Sequence, residues 1–428
     1  MRGVGSNITP VARPYSSGFP ISPRWWLLRF IARNTRSSER GAQLTHPTHV
    51  EGLLEKAGKL MTPHRWIDLR TDAVVQPTSG MREAIAVAVV GSDQFGEDPS
   101  VNSLQERMAD LLGKQAGLFV PSGTMANQLA LKLFCQPGDD VIVGRESHSL
   151  WHETGSGAAL AGVQFTTIGQ DGTFTAEDVE AVLKPRGHML YPPTTLIQVE
   201  NTHNRMGGRV WDLAQMQEVC ALAEERGVAA FCDGARIFNA AVALSVDPAL
   251  LADGFDLVAV SLTKGLGCPI GSVLVGSAEH INRLVRYRRM LGGTLHQAGI
   301  AAAAGLYALD HHVERLAEDH AHARLISEAL AELPGVSIEL ERLETNLIVC
   351  DVPDAVAVAE YALKAGVKVL PFGPRRLRAC THLDVSREDC ERAADVLTSA
   401  VRSCTSIAPD RGSVLLTGPG WPAPVGVF

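Results

Sequence analysis

The feature that most constrains this chain is a repeated rhythm. From Ile67 to about Asp310, short apolar runs alternate with stretches of helical periodicity. Val141-Ile142-Val143, Leu196-Ile197-Gln198-Val199, Val228-Ala229-Ala230-Phe231, Leu257-Val258-Ala259-Val260 and Ser272-Val273-Leu274-Val275 read as strands. Between them lie amphipathic stretches such as Asp212–Arg226. Strand and helix in alternation predict an α/β fold, a mainly parallel sheet covered by helices. A second region, 316–404, opens with a long helix pattern over Leu316–Leu333 and continues with strand candidates Thr345–Val352 and Val367–Leu370. It predicts a smaller α+β C-terminal domain, so the large domain is expected over 66–315 and the small one over 316–404.

The ends differ from this body. Residues 1–65 carry ten Arg and Lys against three Glu, a balance of +7, so the net charge of −8 leaves about −15 on the rest. Positions 1–40, rich in Arg and Ser with one Glu, read as an extension outside the fold; organellar import is the competing reading. Residues 405–428 read as a tail. An acidic body with 5% aromatic residues argues against nucleic-acid binding, which wants a basic surface with stacking rings. No run of 18 apolar residues occurs, so no transmembrane helix is expected. The eight cysteines include no C-x-x-C pair, and several lie in apolar runs. They read as buried thiols in a reducing compartment, with neither a disulfide frame nor a metal site.

Three pieces carry chemistry. In Phe119-Val120-Pro121-Ser122-Gly123-Thr124-Met125-Ala126-Asn127 a strand ends and a helix begins. A helix N-terminus offers free amides to a phosphate, although Ser122 or Thr124 could simply cap the helix. In Val228–Arg236, Asp233 ends an apolar strand and points to the crevice where open α/β sheets bind ligands; capping the next helix is the plainer role. In Leu257–Gly267, Lys264 follows another strand among small apolar neighbours that would desolvate its amine, as a lysine that captures an aldehyde requires. A lysine there is otherwise a solvated surface residue. Together, with Lys264 31 residues after Asp233, the set matches the layout of fold-type I pyridoxal-phosphate enzymes. Such a cofactor needs a lysine for its aldehyde, an acid for its ring nitrogen and a helix N-terminus for its phosphate. No Gly-x-Gly-x-x-Gly turn opens a βαβ unit, which speaks against a nicotinamide dehydrogenase.

A longer series of motifs resembles one family. Asp68-Leu69-Arg70-Thr71-Asp72, Gly96-Glu97-Asp98-Pro99, Pro121-Ser122-Gly123-Thr124, Glu200-Asn201-Thr202-His203-Asn204, Asp233-Gly234-Ala235-Arg236-Ile237-Phe238-Asn239, Lys264-Gly265-Leu266-Gly267 and Thr381-His382-Leu383-Asp384-Val385-Ser386 occur in order. The set is similar to the low-specificity L-threonine aldolases from about Ile67 to about Val401. The resemblance implies a seven-stranded fold-type I sheet and pyridoxal 5'-phosphate as cofactor. It also implies retro-aldol cleavage of a β-hydroxy-α-amino acid, such as L-threonine or L-allo-threonine, to glycine and an aldehyde.

It implies residue roles as well. Lys264 would take the cofactor aldehyde, Asp233 the ring nitrogen, Arg236 the phenolic oxygen, and Gly123 and Thr124 the phosphate. His148 would stack on the ring and His203 approach the substrate hydroxyl, either being the candidate base. Thr71 and Arg378 would hold the substrate carboxylate. Two positions depart from the family: His296 stands where an arginine reaches the phosphate, and Phe95 where a tyrosine is common. The resemblance further implies a homotetramer, a dimer of dimers with shared active sites, and a cytoplasmic enzyme. A β-eliminating lyase or an aminotransferase on the same fold is the alternative within the class. A non-catalytic binding protein is argued against by the intact Asp233, Lys264 and Arg378.

Overall fold

The computed structural model describes residues 66–406. The expectations for residues 1–65, and for the tail from 407 onward, lie outside the described residues. The strands are β1 (Ile67–Asp68), β2 (Ala116–Val120), β3 (Asp140–Gly144), β4 (Gln164–Ile168), β5 (Thr194–Glu200), β6 (Ala229–Asp233), β7 (Leu257–Ser261), β8 (Ser272–Gly276), β9 (Leu347–Asp351), β10 (Val367–Lys368), β11 (Leu370–Pro371) and β12 (Arg376–Cys380). Seven of them form one sheet in the order β2-β8-β7-β6-β5-β3-β4. Only β8 runs against its neighbours; the other pairings, β7 through β4, are parallel.

The apolar runs are unbroken because both faces of this sheet are covered. Successive side chains of a strand leave on opposite sides. Val141 and Val143 pack with the helix Gly123–Phe134 in one buried cluster, while Ile142 joins a second cluster. The second cluster holds the helices Pro99–Leu111 and Gly299–His311. The expected helix over Asp212–Arg226 runs from Leu213 to Arg226, with the Asp212 carboxylate accepting from the Gln215 amide. Strand β4 was not anticipated. It lies at the sheet edge, half exposed, and its Gln-Phe-Thr-Thr-Ile sequence lacks an apolar run.

The expected C-terminal helix spans Leu316–Ala331, and a three-stranded sheet β11-β12-β9 follows. The single strand expected over Val367–Leu370 is two. Strand β10 pairs in parallel with β1, and β11 pairs antiparallel with β12. Ile67 and Leu69 therefore pack in the same cluster as Ile326, Ile348 and Leu397, joining the start of the described chain to its end. The last helix, Arg387–Ser406, closes this region.

Candidate active site

The neighbouring strands β5, β6 and β7 end side by side and carry the chemistry at their carboxyl ends, where a parallel sheet opens its crevice. Glu200 is the last residue of β5 and Asp233 the last of β6; Lys264 follows the end of β7 by three residues. A cavity there is lined by Ser122, Gly123, Thr124, Asn127, His148, Glu200, Thr202, Asn204, Asp233, Ala235, Arg236, Ser261, Thr263 and Lys264. Six of the residues singled out from the sequence thus meet: Gly123, Thr124, His148, Asp233, Arg236 and Lys264.

The Lys264 amine makes no hydrogen bond or ion pair among the described residues. Burial pushes its ammonium down to about 8, and the nearby Arg236 charge adds to this against the pull of Asp233, Asp72 and Glu200. Asp233 is buried, and burial raises its carboxyl, helped by the Glu200 charge. The Asn127 Nδ2 donates to Asp233 at 2.8 Å, and the Ala235 amide donates to its other oxygen at 3.2 Å. Ser122 does cap the helix Gly123–Phe134, its hydroxyl accepting from the Met125 amide at 3.2 Å. The cap leaves the amides of Gly123 and Thr124 at the first turn, where a helix has no internal partner for them. A side chain grown on Gly123 would meet nothing within 4 Å, so the space before this turn is open.

His148 begins a short helix, and its ring Nδ1 lies 3.0 Å from Glu153 Oε1. Burial opposes a charge on this ring. The Glu153 hydrogen bond, with Asp233 and Glu200 nearby, outweighs that effect and raises its pKa. Glu153 is itself enclosed and accepts from Asn127 at 2.6 Å and Gln128 at 2.8 Å. Glu200 accepts from the His148 and Asn204 amides at 2.7 and 2.9 Å.

The remaining sequence candidates lie outside the cavity lining. The His203 ring is fully buried, 3.9 Å from Glu200, against Gly172, whose positive φ of 86° and missing Cβ let the ring approach. Thr71 caps the short turn Asp72–Val74. Arg378 is buried on β12, its Nη2 donating to Asn204 Oδ1 at 3.0 Å; Asn204 in turn lines the cavity. The His296 side chain is exposed, and Phe95 is 72% exposed. Arg288 is tied up by the Phe119 carbonyl at 2.8 Å and by Asp93 at 3.2 Å.

Sequence reasoning gave no role to Asp72, Asn127, Glu153, Glu200 or Asn204. Asp72, Glu200 and Asn204 stand inside motifs already noticed, so the signal was present. Asn127 also ends a segment already quoted, but its acceptors Asp233 and Glu153 lie 106 and 26 residues away in the chain, and Glu153 stands in no motif.

On a sheet of this order, a lysine and an acid at adjacent strand ends mark a fold-type I enzyme. The chain belongs to the beta-eliminating lyase family, whose model matches residues 68–355, and within it to the low-specificity L-threonine aldolases. The low specificity L-threonine aldolase of Escherichia coli (strain K12) is 41% identical over 332 residues, covering 77% of this chain and 97% of its own. Low-specificity L-threonine aldolase 1 of Arabidopsis thaliana is 38% identical over 334 residues, 76% of this chain and 93% of its own. The solved Leishmania major threonine aldolase shares the fold, with a TM-score of 0.69 at 21% identity over 78% of this chain and 99% of that one. This chain is a lyase. No helix among the described residues is long and apolar enough to cross a membrane.

Proposed function

We propose that this cavity cleaves β-hydroxy-α-amino acids, L-threonine and L-allo-threonine among them, to glycine and an aldehyde. One observation carries the reading: a lysine with a depressed ammonium faces the same cavity as a buried acid that makes no ion pair among the described residues. These groups fit pyridoxal 5'-phosphate. Lys264 suits its aldehyde, Asp233 a protonated ring nitrogen, and the open first turn at Gly123 and Thr124 its phosphate. The cofactor, when bound, supplies a conjugated ring that accepts the electron pair of the breaking carbon–carbon bond.

The protein's own groups do the rest. Asp233 would hold the cofactor's ring nitrogen in its protonated form, and Arg236 would hold its phenolic oxygen. Arg378, which has no carboxylate partner among the described residues, would grip the substrate carboxylate with Thr71 and so fix the orientation of the bond to be broken. Of the two candidate bases, support favours His148, since it lines the cavity. Its Nδ1–H donates to Glu153, which leaves the other nitrogen free to take the hydroxyl proton. His203, packed beneath Gly172, would act from behind Glu200. Release of glycine and acetaldehyde from L-threonine by the purified protein tests the reading. A keto acid and ammonia instead would make it a β-eliminating enzyme.

We also propose a dimer of dimers with shared sites. What supports it is a set of exposed apolar side chains: Val87, Val89, Phe95 and Met290 are 78%, 67%, 72% and 66% exposed. The Asp93 amide donates to the His296 carbonyl at 2.9 Å, so the segments that carry Phe95 and His296 meet. The helix Ala278–Met290, with Arg283–Arg289 and the Gly292-Gly293 loop, would lie near a partner. Eight free cysteines suit a reducing compartment, and the cytoplasm is the one proposed.

A further inference from the structure

Arg205 lies outside the cavity lining, yet it is 4% exposed and has three neighbours of different kinds. Its Nε donates to Glu146 Oε2 at 2.7 Å. Glu146 sits at φ +59°, in the left-handed region, and also faces Arg376 Nη1 at 3.5 Å. The Arg205 guanidinium carbon lies 4.7 Å from the ring centre of Trp151 and 4.9 Å from that of Phe372. Trp151 ends the short helix that begins at His148, and Phe372 precedes β12. The guanidinium carbon of Arg378, on β12, lies 5.1 Å from the same Phe372 ring.

Two arginines therefore share one aromatic ring, and only Arg205 has a carboxylate. Arg378 is held by Asn204, by the ring and by its strand, while its buried Nε has no partner. A guanidinium with so few bonds keeps its place only if the surface under it is fixed. Phe372 is that surface, and Arg205 fixes it from the segment that also carries Asn204. Arg376, two residues before Arg378 and so on the same face of β12, is drawn to Glu146 as well.

We propose that Arg205 is a positioning residue for Arg378: by packing against Phe372 it sets where Arg378 presents its fork to a carboxylate. This rests on reading Arg378 as the holder of the substrate carboxylate.

The test uses full-length, cofactor-loaded protein and the variants Arg205→Met, Phe372→Leu and both together. Glycine binding is measured by calorimetry, with KM and kcat for L-threonine and the thermal midpoint alongside. Each single variant is expected to bind glycine about tenfold more weakly and to raise KM similarly, with kcat within about twofold. The double variant is expected to lose no more than either single one, because both changes free the same ring. Arg205→Lys should recover little, since an ammonium lacks the planar face that stacks. A lower thermal midpoint with unchanged glycine affinity would overturn the proposal, as would losses that multiply in the double variant. Should Arg205→Met not fold, Phe372→Leu alone decides on the same glycine reading. Glycine binding needs no turnover. A wild type that fails to cleave L-threonine therefore counts against the proposed activity, and glycine still decides the matter of Arg205.

Discussion

The Arg236 guanidinium grips the Asp72 carboxylate through two hydrogen bonds of 2.7 Å, with both side chains shut off from solvent. The pair joins the loop after β6 to the start of the described chain, and Asn346 adds a third donor to Asp72 at 3.2 Å. Burial alone would raise the Asp72 carboxyl; the Arg236 charge and hydrogen bonds overcome that and hold it well below the usual carboxylate range.

Breaking this pair from one side strands a buried charge. Asp72→Ala is expected to cost roughly 3–5 kcal/mol and to loosen Arg236 at the cavity wall. The sign with pH follows from the depressed carboxyl. The stabilisation is present above the ordinary aspartate range and fades only as pH falls toward the lower folded value. Denaturant unfolding of wild type and variant at neutral pH checks this. A loss below about 1 kcal/mol would show that Arg236 finds another partner.

Lys264 makes the opposite trade. Its ammonium titrates at about 8 in the fold against an ordinary 10.5, so holding the charge there opposes folding. The penalty is full below about 8, shrinks through the interval and vanishes above the ordinary lysine value. Lys264→Met should therefore raise the thermal midpoint of the cofactor-free protein at neutral pH, by an energy of at most ~3 kcal/mol. The gain should disappear in strong alkali while cofactor attachment is lost throughout. Equal midpoints at neutral pH would mean the amine is better solvated than its surroundings suggest.

With His148 as the proposed base, Glu153 would set its working range. With the carboxylate in place the imidazolium is favoured, so the basic form appears only above the raised value. Glu153→Gln removes the charge but keeps the shape. The acid limb of the kcat/KM profile for L-threonine is expected to move to lower pH, with a smaller plateau. A limb that stays put would assign it to another group, and His203 would be next to examine by the same means.

How far the sequence could be read follows the range of each signal. The rhythm of β3 and β5 to β8 was legible because strands covered on both faces must be apolar throughout. Edge strand β4 and the split between β10 and β11 were not, since pairing partners far along the chain decide them. Lys264 and Asp233 stood out by lying just after apolar runs. Asn127 did not, because its role depends on two carboxylates that meet it only in the fold. Arg205 was likewise invisible: its meaning comes from two aromatic rings on separate segments.

His296 offers the last expectation, and it depends on assembly. In a single chain its side chain is exposed and away from the cavity lining, on a segment that meets the one carrying Phe95. If these segments form the proposed interface between copies, His296 would reach the phosphate end of a neighbour's site, where the resemblance puts an arginine. An arginine offers a phosphate a charged, planar fork of donors, which an imidazole does not. His296→Arg should then bind the cofactor several-fold more tightly than the wild type. The contrast should fade on dilution below the concentration at which sedimentation shows single chains, because no neighbour then supplies the residue. Equal cofactor affinities for the two proteins would leave His296 without a part in holding the phosphate.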